Sequence, residues 1–280
     1  MTRPIDRGEA AHRAGAHWRG AGHIFAIAKN TFREAIRDKI LYSLLFFAIL
    51  LILFAVVLGQ LSLHEEGRLV RDVGLGGISL FSVIIAIFVG SSLVYKELDR
   101  KTVFTIIPKP LHRHEFILGK FVGMTVVLIV LVAIMAAVLS GVLALEDAPI
   151  DAALLKAVWL LLVEVIVITA VALLFSSFST PFLSAFFTLG VWVLGRSTPE
   201  IRGVAGKLGA AKPILRGIAA IVPDLHLFYV SGSMAGGERV TVHGDYVDWA
   251  YVARATGYGL GYAAILLIFA AIIFRKRDFV

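Results

Sequence analysis

Cysteine is absent from the 280 residues, which excludes a disulfide framework and thiolate chemistry. Charge is sparse: Asp, Glu, Lys and Arg make up 17% of the chain, against about 25% in soluble domains. No G-x-x-x-x-G-K-[ST] occurs. Gly119-Lys120 is followed by Phe121 and Gly206-Lys207 by Leu208, so the chain has no phosphate-cradling loop and is not expected to hydrolyse ATP. G-x-S-x-G and H-E-x-x-H are also missing, which leaves no nucleophile elbow for a serine hydrolase and no zinc helix for an intramembrane protease. The first 39 residues hold no apolar core of signal length, so a cleaved signal peptide is not expected.

What is present is apolar length. The chain is 59% hydrophobic, with a mean hydropathy of +0.87. Several runs of about 20 residues are long enough to cross a ~30 Å hydrocarbon core at about 1.5 Å per residue. The reading is an all-α, polytopic membrane protein with six spans, near 40–61, 75–95, 121–145, 157–175, 179–195 and 249–274. Residues 1–22, rich in Arg, Ala, Gly and His, read as a mobile cytoplasmic tail, and 23–280 as one transmembrane domain. In His23 to Lys39, Ile24, Phe25, Ala28, Phe32, Ala35 and Ile36 share one helical face and charged residues the other. This is an amphipathic helix suited to the membrane interface.

Glycines and serines of the second span (Gly74, Gly76, Gly77, Gly90, Ser91, Ser92) invite close helix approach. Pro181 suits the first turn of the fifth helix. That run loses its apolar character near Leu194 and is short for a straight crossing. The loop 196–248 contains two apolar pieces, Ile214 to Val222 and Leu225 to Val230, fit for interfacial or re-entrant helices. Trp249, Tyr251, Tyr258 and Tyr262 at the entrance of the sixth span read in part as an aromatic belt.

Sidedness follows from basic residues. The N-terminal region, the stretch Lys96–Lys120 and the C-terminal tail together hold seventeen Lys and Arg, and the opposite segments nine. The positive-inside rule puts both termini and Lys96–Lys120 in the cytoplasm. The formal net charge of +7 is therefore a topology signal; no nucleic-acid partner is expected. Lys96–Lys120 is charged at both ends around an apolar patch, Val103 to Ile107. Pro108 and Pro110 disfavour a helix across their position, so a short helix, a turn and re-entry into the third span are expected. This stretch looks built to dock a partner.

The pattern YKELDRKTVFTIIPKPLHRHEFILGKFVG resembles the signature of ABC-2-type transporter permeases, the membrane subunits of ATP-binding-cassette exporters. The matching positions are Tyr95, Glu97, Lys101, Thr102, Pro110, Leu111, Arg113, Glu115, Gly119, Lys120 and Gly123. IAKNTFREAIRDKILYSLLFFAILL is similar to the same family's interfacial helix and first span. Within the family the chain looks most like the permease of the nitrous-oxide-reductase maturation transporter.

The resemblance implies that the stretch between spans two and three is a coupling helix docking on a separate ATPase subunit. It implies a second permease copy (the same or a similar chain), and ATP and Mg bound by the partner rather than by this chain. It also implies a bacterial-type inner membrane. Under it the partner-binding residues are Glu97, Arg100, Lys101, Thr102, Val103, Phe104, Ile107, Pro110, Leu111, Arg113 and Glu115. The function implied is a non-catalytic permease subunit that couples a partner's ATP hydrolysis to export. Two other classes stay open from the residues: an ATP-independent secondary transporter or channel, and a membrane anchor for a cytoplasmic complex. The former predicts internal repeats and ionisable groups in several spans, whereas here only Glu164 and Arg254 qualify.

Glu164 is the sharpest single residue. A carboxylate inside a span costs about 2.5–3.5 kcal/mol on insertion scales and faces protein or water. It reads either as a contact in the translocation path or at a dimer seam, or as a protonated side chain bonded to a nearby hydroxyl such as Thr169. His112 and His114 do not share a helical face and have no third ligand nearby, so no metal site is expected there. His64 with Glu65 and Glu66, and His226 and His243, are weaker candidates for contact with a polar substrate.

Overall fold

The structure is a computed structural model that describes residues 7–60, 66–99, 113–207, 213, 217, 221–229, 233–235, 238–240 and 247–276. It is an all-α bundle with one small hairpin. The helices are α1 (Arg7–Ile36), α2 (Lys39–Gln60), α3 (Glu66–Asp99), α4 (Arg113–Leu145), α5 (Ala152–Ser176), α6 (Pro181–Arg196), α7 (Thr198–Lys207) and α8 (Trp249–Lys276). A 3-10 turn, Leu225–Phe228, and two antiparallel strands, β1 (Ser233–Ala235) and β2 (Glu238–Val240), lie between α7 and α8. The hairpin lies in the loop 196–248, where only two apolar helical pieces were expected. Helix α1 also begins inside the stretch read as a tail; alanine and arginine, both strong helix formers, account for its extension back to Arg7.

Among the described residues, five helices are long and apolar enough to cross a bilayer: α2, α3, α4, α5 and α8. The chain is an integral membrane protein. Helix α6 is apolar but has only sixteen residues, about 24 Å of rise, short of a ~30 Å core. Helices α3 and α5 are the inner pair, with 67% of each apolar window buried, against 22% for α2 and 28% for α8. Helix α2 keeps Leu41, Ala48, Ile52, Ala55 and Gly59 inward. Its Phe46, Phe47, Leu50, Leu53 and Phe54 are exposed on the protein surface, as lipid-facing side chains must be.

Small residues set the spacing. A Cβ on Gly77 would come within 2.9 Å of Leu51, and one on Gly90 within 2.6 Å of Ala172. Gly74 is pressed as closely by Leu139. The glycines of the second span thus seat α2, α5 and α4 against α3, as van der Waals packing between membrane helices requires.

Two ends can be distinguished. At one, here the crown, α4 stops in the acidic turn. Ala148 N–H donates to Leu143 O at 2.9 Å across Asp147, whose φ of 50° is left-handed. This is the six-to-one bond of a Schellman ending, with Asp in the place glycine usually takes. Asp151 then caps α5, accepting from Leu154 N–H at 3.2 Å. The buried Arg71 guanidinium of α3 donates to Asp151 at 3.2 Å and to Pro149 O, locking this turn to the start of α3.

At the other end, the base, α1 lies on α4. A Cβ on Gly119 would meet Ile27 and the Ile24 carbonyl, and one on Gly123 would meet Thr31 and come within 2.6 Å of the Ala28 carbonyl. The two glycines, four apart on one face of α4, let the α1 backbone approach closely. Ala28, Thr31 and Ala35 are buried while Phe25 is 70% exposed. The apolar face of α1 is therefore divided, with Ala28, Thr31, Ala35, Ile27 and Phe32 toward the bundle and Phe25 outward.

Candidate functional site

Two places carry the sequence expectations. The first is the stretch between α3 and α4. Arg100, Lys101, Thr102, Val103, Phe104, Ile107, Pro110 and Leu111 lie outside the described residues. Glu97 belongs to the last turn of α3 and Arg113 opens α4. Glu115, grouped with the docking charges, turns inward. It is 6% exposed and pairs with His23 Nδ1 of α1 at 3.2 Å. Lys120, one turn on, is fully buried with its ammonium 5.7 Å from the Phe116 ring centroid. Glu115 thus joins Gly119 and Gly123 in seating α1, and these three signature positions form a helix–helix joint.

The second place is Glu164, halfway along α5 and fully buried. Its partner is not Thr169, whose hydroxyl donates to the Val165 carbonyl one turn back at 2.7 Å. Instead Arg196, at the end of α6, donates from Nε to Oε1 and from Nη2 to Oε2, both at 3.0 Å. Trp192 Nε1 adds a bond to Oε1 at 3.0 Å and Ser79 Oγ of α3 one to Oε2 at 3.2 Å. Four donors on two oxygens meet the acceptor capacity of an ionised carboxylate. Arg196 also donates to Ser79 Oγ and lies over the Tyr229 ring, 4.1 Å from its centroid. A bidentate, charge-assisted pair with a cation–π lid therefore joins α3, α5, α6 and the segment after the 3-10 turn.

That segment, part of the apolar piece Leu225 to Val230, packs into the bundle as a 3-10 turn. Leu225, His226 and Phe228 are buried. Phe228 fills a notch at Gly259, and Leu225 and the Pro223 carbonyl press on Gly195. Tyr251, Tyr258 and Tyr262 do more than line an interface. Tyr251 Oη donates to Leu227 O at 2.8 Å, Tyr258 Oη accepts from Asp224 N–H at 2.9 Å, and Tyr262 Oη donates to Ile221 O. One face of α8 thus satisfies the backbone of an irregular segment held within the bundle, which is the condition for such backbone at membrane depth. Arg202 of α7 pairs with Asp224 at 3.0 Å. Trp249 stays near the crown, with the Lys156 ammonium 4.9 Å from its ring centroid. Most of Ile214 to Val222 lies outside the described residues.

Sequence reading did not single out Arg196, Trp192 or Tyr229. The signal for the first two was present: Ser184, Thr188, Trp192 and Arg196 recur every four residues along α6, a polar stripe in an otherwise apolar helix.

Comparison with protein families matches residues 25–279 to the ABC-2 family transporter protein. The chain belongs to the ABC-2 transporter family. The match runs from α1 through the 3-10 turn to the end of α8, well beyond the two stretches that carry the resemblance. No curated protein matches the chain. As an ABC-2 family member with several membrane-crossing helices, the chain is a membrane permease component of an ABC transporter.

Proposed function

We propose that this permease couples ATP hydrolysis by a separate ATPase subunit to export of a substrate. It would work with a second permease copy, the same or a similar chain, and without catalysis of its own. ATP and Mg belong to the partner. The membrane is a bacterial-type inner membrane, with both termini and Lys96–Lys120 in the cytoplasm. The observation that carries this reading is the family match over 25–279, together with the joint at the base of α4. There α1 is seated by Gly119 and Gly123, at the end of the charged stretch. A push on that stretch would reach α4 and α1 as one body, which is how closure of an ATPase dimer could tilt the spans.

The test is purification of the permease from its native membrane with any nucleotide-hydrolysing subunit bound to it. The complex should hydrolyse ATP and respond to its substrate. Glu97→Ala and Arg113→Ala should weaken retention of the ATPase. Recovery of the permease without an ATPase, with transport indifferent to both substitutions, would sink the reading.

A further inference from the structure

Helix α6 is held unusually. Of its sixteen residues only Ser184, Thr188 and Gly195 are buried, and none has a large side chain to lock into a neighbouring groove. The Ser184 hydroxyl is buried without a partner, and that of Thr188 bonds to the Ser184 carbonyl of its own helix at 2.6 Å. The inward stripe of Ser184, Thr188, Trp192 and Arg196 repeats every four residues. A slide of one turn, about 5.4 Å, would set one small hydroxyl where another had been in the first half of the helix. Packing of Ser184 and Thr188 alone discriminates weakly between such registers. What breaks the repeat is the far end, where the Trp192 indole, packed against the core, and the Arg196 guanidinium both reach the Glu164 carboxylate, and the guanidinium finds a counter-charge at one depth only.

A buried ion pair adds little stability over an apolar pair of similar volume, and its best-attested use is to fix register. We propose that Glu164–Arg196 is the register pin of α6. It sets the depth of α6 against α3 and α5, and through Tyr229 and Gly195 it sets where the segment 223–229 closes on the bundle.

The absence of cysteine makes the test direct, and it uses the full chain in its own membrane without an ATPase or a substrate. Phe175 of α5 and Phe187 of α6 have ring centroids 5.5 Å apart. Cysteine pairs Phe175→Cys/Phe187→Cys, Phe175→Cys/Leu183→Cys and Phe175→Cys/Val191→Cys sample the present register and those one turn either way. A short bifunctional thiol reagent should join the first pair about tenfold more than the others, a preference worth about 1.4 kcal/mol. With Glu164→Leu/Arg196→Met added, that preference should collapse while the melting temperature holds. Preference retained in a folded double variant would make the pair packing alone and overturn the proposal. Should the double variant not fold, Glu164→Gln, similar in shape but uncharged, gives the same decision: collapse supports the pin and retention overturns it. Because no arm involves nucleotide or transport, failure here is distinct from failure of the coupling proposal.

Discussion

Removing the carboxylate of Glu164 leaves the Arg196 guanidinium inside the bundle without its counter-charge. Glu164→Ala should therefore cost about 3–5 kcal/mol, read as a lowered melting temperature in detergent. Glu164→Leu/Arg196→Met, which removes both charges, should cost much less, so the two losses will not add. The tyrosines of α8 act one by one. Tyr258→Phe deletes the acceptor of the Asp224 N–H and should cost about 0.5–1.5 kcal/mol. The informative readout is local: amide exchange around 221–229 should quicken while that of the inner helices α3 and α5 stays unchanged.

At the scale of elements, the joint between α1 and α4 rests on absent side chains. A Cβ on Gly123 would sit 2.6 Å from the Ala28 carbonyl, backbone that cannot turn aside. Gly123→Leu should lift α1 from α4 at a cost of about 1–3 kcal/mol, and proteolysis of α1 in membranes should become faster. Gly141, also on α4 but with nothing within 4 Å, is the control: Gly141→Ala should be neutral or slightly stabilising, as alanine is the better helix former. Helix α6 contrasts with this joint. Only Ser184, Thr188 and Gly195 are buried along it, and the bonds of Trp192 and Arg196 to Glu164 hold its far end.

For the whole molecule, the alternation of helices and the excess of basic residues at the base predict sidedness. Lys29→Cys on α1 and Leu145→Cys at the crown are both exposed positions in a chain with no cysteine of its own. An impermeant maleimide added outside intact cells should label the second and not the first. The reverse pattern would invert the topology. The inner pair α3 and α5, glycine-notched and closely packed, forms the part that α1, α2, α6 and α8 surround. Motion during transport is accordingly expected in the surrounding helices and not in that pair.

The class of protein was legible because its signals are local. An uncharged run long enough to span a bilayer, a proline at a first turn and an amphipathic period are each properties of a short window of sequence. So is the charged signature before α4. Composition excluded cysteine chemistry and a phosphate loop just as directly. Tertiary structure decided the pairings. That a buried carboxylate needs donors could be argued from Glu164 alone. That the donor is Arg196, 32 residues on, depends on α6 ending at the depth of mid-α5, and helix length alone did not reveal this. The three tyrosines look the same in sequence whether they face headgroups or the backbone of another segment. The signature glycines read as a family mark until the approach of α1 gave them a physical cause. Burial and pairing depend on which distant segment arrives, and only the packed bundle specifies that.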